Sequence, residues 1–306
     1  MQSSLLNIEF NLVKFPIIFP IIYGVILYTF PEFETYLLFF TILLLAETHF
    51  GATWPFFLNK SNSYFITQNK LNLIIYPLII IILSLVGFLY FKKFFLLVFF
   101  AVNMFHVTRQ SFGVCKLYTE NKNEKIVQEI FIYIINFIFF LVGYLRFYLP
   151  VINSNNLLTL NIAVLSLILI FFIIYLYKFS SKNIYTFLTG LIIFYPICFV
   201  SNPVHAIIMG VTMHYTQYLY LTHKVFKGRQ KNHSISNSAF SYLGVIIFYS
   251  IAMSLLSLLG KNSNEIFNAL IIIPIIGQML HFYLDSQLWK FSNPHNRENV
   301  LKYIKN

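Results

Sequence analysis

FFLLVFFAVNMFHVTRQSFGV, residues 94–114, decides the fold class. An almost wholly apolar run leads without a break into His106, Arg109 and Gln110. A stretch of about 20 such residues is long enough to cross a bilayer as a helix. An ionised side chain in that setting costs roughly 2.5–3.5 kcal/mol on insertion scales, and it is tolerated where it faces a bundle interior or a partner. Asn103, His106, Arg109 and Gln110 are three or four apart, so they share one helix face. The stretch predicts a membrane helix whose polar stripe turns toward other helices, with Asp285 or Glu47 as the expected partner of Arg109.

Composition extends this to the whole chain. Of 306 residues, 58% are hydrophobic and 10% charged, with 36 Phe and 21 Tyr; a soluble domain carries about 25% charged residues. The expectation is an all-α, polytopic integral membrane helix bundle of about ten transmembrane helices, organised as a single transmembrane domain over 1–306. The spans are expected near 15–30, 36–58, 71–91, 94–117, 127–149, 157–178, 184–200, 203–223, 240–260 and 266–289. MQSSLLNIEFNLVK, residues 1–14, lacks the basic start and cleavage site of a secretory signal, so the first apolar run is expected to stay as a span. Cys115 and Cys198 make neither a disulfide framework nor a cysteine metal cage.

Charge orients the bundle. With ten spans and both termini on one side, the other side holds Lys92, Lys93, Arg146 and Lys261; Arg109 is intramembrane, and the remaining 16 of the 21 Lys and Arg lie on the side of the termini. Basic residues favour the cytoplasm, so both termini are expected to be cytoplasmic, in a bacterial inner membrane. The formal charge of +11 is then an orientation signal with attraction to membrane lipids, and no nucleic-acid partner is implied.

Four of the eight histidines lie deep in even-numbered spans: His49, His106, His214 and His281. At about 1.5 Å rise per residue they fall within roughly 6 Å of one another in depth. Span neighbours add polar groups: Gln217 and Tyr218 beside His214, Asp285 and Tyr283 beside His281, and Glu47 two residues before His49 and so pointing elsewhere. Gly51 and Pro55 are expected to loosen the second span, and Pro274 and Gly277 the tenth. His205 reads as interfacial, and His223, His233 and His295 as surface or tail residues.

Such a layer has two readings. Neutral imidazole is a common metal ligand, and facing helices of a bundle build such sites. His49, His106, His214 and His281, with Asp285 and Glu47, are the candidate metal ligands; Arg109, Gln110, Gln217 and Tyr218 are the candidate catalytic or orienting groups. Alternatively, each His is a cross-helix hydrogen-bonding group that holds the bundle together. No HExxH or HxxxH string occurs, so the ligands would come one per helix.

In His49-Phe50-Gly51, in the deep His106 and His214, and in the absence of carboxylate-rich ligand strings, the chain resembles the bacterial Brp/Blh-type β-carotene cleaving dioxygenases. It differs from them in lacking a Pro-His-Gly string and a later His pair. The resemblance implies histidine-held non-haem iron and oxygen chemistry on a long apolar substrate. The leading expectation is a membrane non-haem iron oxygenase or hydroxylase acting on a hydrophobic small molecule, lipid or isoprenoid, with an electron donor of unknown kind. Zinc, copper or haem stay open as cofactors, and a proton-coupled transporter using the same His, Asp, Glu and Arg layer stays open as a function.

Overall fold

Helices account for nearly all of the chain in a computed structural model of the protein, which describes residues 7–57, 60–152, 154–179, 183–232, 238–262 and 269–305. Among the described residues there is no strand. The helices are α1 (Asn7–Lys14), α2 (Ile18–Thr29), α3 (Pro31–Phe57), α4 (Lys60–Gln68), α5 (Leu71–Tyr90), α6 (Lys92–Tyr118) and α7 (Lys122–Tyr148). They continue as α8 (Asn156–Lys178), α9 (Ile184–Cys198), α10 (Pro203–Asn232), α11 (Tyr242–Gly260), α12 (Ile272–Leu288) and α13 (294–305).

Six of these are long and apolar enough to cross a membrane: α3, α5, α6, α7, α8 and α11. The count becomes seven if α1 and α2, bent by 64°, form one broken span. The other expected spans are helical but differ for physical reasons. The α9 helix is short, α12 has 17 residues, and α10 is long but dilutes its apolar residues with the buried polar set His205, Thr212, His214, Thr216, Gln217 and Thr222. The helices α5 and α8 leave rows of Ile, Leu and Val exposed, as hydrocarbon-facing helices do.

The chain divides into two compact units. The first comprises residues 1–38 and 101–217. The 64° bend between its α1 and α2 frees carbonyls that hydrocarbon cannot satisfy. Side chains supply the donors: Gln217 Nε2 to the Val13 carbonyl at 2.7 Å, and Thr189 Oγ1 to the Lys14 carbonyl at 3.0 Å. Asn136 clamps α7 to α9 by donating to the Ile132 and Gly190 carbonyls at 2.8 and 2.9 Å. Gly210 lets α10 touch α9, since a Cβ there would strike the Ile193 carbonyl. A buried knot ties α6, α7 and α8: Tyr175 Oη donates to Glu124 at 2.5 Å and accepts from Gln128 at 3.0 Å, and Thr119 donates to Gln128 at 3.1 Å.

The second unit comprises residues 39–100 and 218–306. In it, α3 contains a π-helical turn, Ile42–Ala46, directly before Glu47. Such a turn breaks the regular ladder; the Ser250 hydroxyl of α11 donates to the Leu43 carbonyl there. Tyr249, one residue earlier on α11, stands between α3 and α12. A Cβ on Gly51 would meet its ring at 3.1 Å, and one on Gly277 would strike its hydroxyl. Gly277 thus serves close packing, and α12 runs unbroken from Ile272. The helix in α3 loosens at Ala52–Thr53, as Gly51 and Pro55 predict.

Beyond α12 a further helix begins: Asn293 caps it by accepting from the His295 N–H at 2.9 Å, with Pro294 at its first position. Helix α13 docks through Arg229 Nε to the Asn299 carbonyl at 2.8 Å and Lys224 Nζ to the Ile304 carbonyl at 2.8 Å. His295 is not a solvated tail residue. It stacks on Phe65 with centroids 4.1 Å apart and bonds to Asn62 at 2.9 Å.

Two outcomes are expected. Gly277→Ala should cost about 1–3 kcal/mol by overpacking, and Tyr249→Phe, which removes the struck hydroxyl, should restore part of the loss in a thermal melt of the double variant. Burial, then Arg229, hold His295 below its usual pKa. Its folded form therefore favours the neutral ring, so the docking of α13 is fully stable above about pH 6.5 and weakens as pH falls. Amide protection in 294–305, the intrinsic exchange rate divided by the observed one at each pH, should be lower at pH 5 than at pH 7.5; equal protection would contradict this account.

Candidate metal centre

In the second unit, α3 and α12 bring two imidazoles side by side. The His49 and His281 rings have centroids 4.4 Å apart at 66°, and both residues are buried. The Tyr218 ring closes the group, 4.5 Å from His49 and 5.4 Å from His281. The loosened segment after Gly51 matters here, because it presents Thr53. The Thr53 hydroxyl lies 2.7 Å from His281 Nδ1 and 2.9 Å from the Tyr218 hydroxyl. Tyr218 in turn hydrogen-bonds Asp285, and Trp289 Nε1 donates to Asp285 Oδ1 at 2.5 Å. A continuous buried chain runs from imidazole to hydroxyl, to phenol, to carboxylate.

Glu47 is also buried, but two residues before His49 it points elsewhere, as the spacing predicts. Gln278 Nε2 reaches its Oε1 at 3.4 Å.

In the first unit, α6 and α10 pair His106 with His214, centroids 5.5 Å apart at 84°, both buried. The polar stripe of α6 does not all turn inward. Arg109 is exposed and Gln110 half-buried, and among the described residues no carboxylate pairs with Arg109. Its long stem allows the guanidinium to reach toward the membrane surface. Neither Asp285 nor Glu47 serves it: Asp285 accepts from Trp289 and Tyr218 instead. Gln217 donates to the Val13 carbonyl, so its amide nitrogen is committed to the broken α1 end.

His49, His106 and His281, all buried, form a group that could hold a metal ion: each offers a ring nitrogen, and these lie within 4.8 Å of one another. His214, Glu47 and Asp285 fall outside that group among the described residues. Three imidazole nitrogens suit zinc, copper, iron or nickel.

Two features escaped the sequence reading. Thr53 carries no signal of its own, since its role depends on α10 and α12 arriving beside it. His205 is buried in the first unit, with Tyr23 Oη 2.6 Å from its Nδ1 and Glu34 Oε1 2.9 Å from its Nε2. Asn202 Nδ2 steadies Glu34 at 3.3 Å. His205 is one turn from Asn202, but Tyr23 and Glu34 are more than 160 residues away in sequence. His223 is exposed, as expected, and His233 lies outside the described residues.

No family model, curated protein or solved structure matches the chain.

Gln217→Met should cost about 1–3 kcal/mol by leaving the Val13 carbonyl without its donor, while metal content stays at the wild-type level. Loss of metal with an unchanged melting temperature would instead make Gln217 a group that tunes the centre.

Proposed function

We propose that the protein is a membrane-embedded, histidine-ligated metalloenzyme, a non-haem iron oxidoreductase acting on a hydrophobic substrate such as a lipid or isoprenoid. The observation that carries the reading is the close group of three buried ring nitrogens from His49, His106 and His281. Bound iron would supply a redox centre able to use oxygen; zinc or copper suit the same donors.

The chain's own residues have definable tasks in this reading. With Nε2 of His281 toward the ion, its Nδ1 carries the proton. That N–H donates to Thr53, Thr53 donates to Tyr218, and Tyr218 donates to Asp285, whose carboxylate also accepts from Trp289. Every hydrogen in the chain then has one direction, ending on an acceptor-only group. Such outer partners fix the tautomer and ring angle of a ligand and raise its basicity. Phe50 and Phe282 pack on the His281 ring at 5.1 and 5.8 Å and keep that side apolar.

A proton-coupled transporter is the second reading. It is favoured by the Glu34–His205–Tyr23 chain, which leads from a half-exposed carboxylate through a buried imidazole to a buried phenol.

Metal analysis of detergent-purified protein separates the two. The enzyme reading expects one metal per chain in the wild type, lost in His49→Ala and His281→Ala with the helix content intact. Thr53→Val should weaken metal affinity about 10–100-fold. A wild type that stays metal-free after anaerobic iron loading, yet drives pH-dependent uptake into vesicles, would overturn the enzyme reading in favour of transport.

A further inference from the structure

The docked α13 helix creates a second polar site, lined by residues other than those of the histidine layer. Asn62, Phe65, Arg229, His295, Asn296 and Asn299 help line one small cleft within the second unit. Arg229 is its charged residue and is only 6% exposed. The guanidinium lies over the Phe56 ring at 5.0 Å, and Nε donates to the Asn299 carbonyl at 2.8 Å. Its Nη1 is buried and, among the described residues, has no hydrogen-bond partner. Among the described residues no carboxylate forms an ion pair with it. Burying a guanidinium without a counter-charge is costly, and a cleft that keeps one is built for an anion.

The other polar walls are already committed, which leaves the guanidinium to do the recognition. Asn62 donates to the Phe56 carbonyl, and its Oδ1 accepts from His295 Nε2 at 2.9 Å. Asn299 Nδ2 reaches His295 Nδ1 at 3.3 Å and the His295 carbonyl at 2.9 Å. Asn296 Nδ2 donates to the Gln287 carbonyl at 2.6 Å. With one nitrogen donating and the other accepting, His295 is neutral, so it adds no second charge. The interior admits a group about the size of one water, a single oxyanion oxygen, with the rest of the ligand at the open mouth. In the flanking sequence of the described residues, Lys224 and Lys227 of α10 and Lys290, Arg297 and Lys302 near α13 outnumber Glu298. Arginine's planar fork is matched to phosphate.

We infer that the cleft between the end of α10 and α13 is a phosphate-group site, in which Arg229 Nη1 takes one oxygen of a phosphate ester or inorganic phosphate. Occupancy would lock α13 onto α10 through the same guanidinium that already holds the Asn299 carbonyl.

The test uses the full chain in a maltoside detergent, titrated with inorganic phosphate at constant ionic strength and read by thermal shift. The wild type should show a saturable rise in melting temperature. Arg229→Lys, which keeps the charge and removes Nη1, should weaken binding at least ten-fold, and Arg229→Gln should abolish it; Lys227→Gln, at an exposed position, should change it less than two-fold. A parallel titration with soluble dioctanoyl phosphatidic acid names the source. Binding at least ten-fold tighter than inorganic phosphate identifies a lipid headgroup, and equal or weaker binding identifies a soluble phosphate. No saturable shift with either probe in the wild type overturns the proposal, as does unchanged binding in Arg229→Lys, which would make Arg229 a pin for α13 only.

Discussion

Hydrocarbon offers no hydrogen bonds, so every carbonyl released by a helix break must find a donor inside the protein. This constraint shapes the chain wherever its helices are irregular. The bend between α1 and α2 is answered by Gln217 and Thr189. The π turn in α3 is answered by Ser250. Thr48, Thr108, Thr212, Thr216 and Thr222 turn their hydroxyls back onto their own helix carbonyls. Polar residues that look like a functional layer are thus partly structural, and partner identity separates the two kinds.

By that criterion the group around His281 differs from the rest. Its hydroxyls do not satisfy broken backbone. They form a side-chain relay through Thr53 and Tyr218 to Asp285. In the same unit Tyr249 of α11 rests against Gly51 of α3 and Gly277 of α12, the helices that carry Thr53 and His281. A side chain at Gly277 would push on Tyr249 and disturb that packing.

Much of this was legible in the sequence. The apolar stretches fall on helices, and six of them are long enough to span. The depth argument singled out His49, His106, His214 and His281, and the structure sets His49 beside His281 and His106 beside His214. The helical period also separated Glu47 from His49. It failed for Arg109, because sharing a face with His106 over three residues still leaves about 60° of rotation, enough to carry a side chain from the interior to the surface. The tail differed for another reason: His295, expected at the surface, stacks on Phe65 because α13 docks there.

Composition and hydrophobic runs determined the class, the helical elements and the candidate imidazoles, because those depend only on local properties of the chain. Tertiary structure alone decided which nitrogens meet, that Thr53 bonds to His281, that Glu34 and Tyr23 flank His205, and that Arg229 is buried with no carboxylate paired to it among the described residues. Each of these contacts joins residues far apart in the chain. Their proximity comes from helix packing, and spacing along one helix carries no information about which face of another helix it will meet.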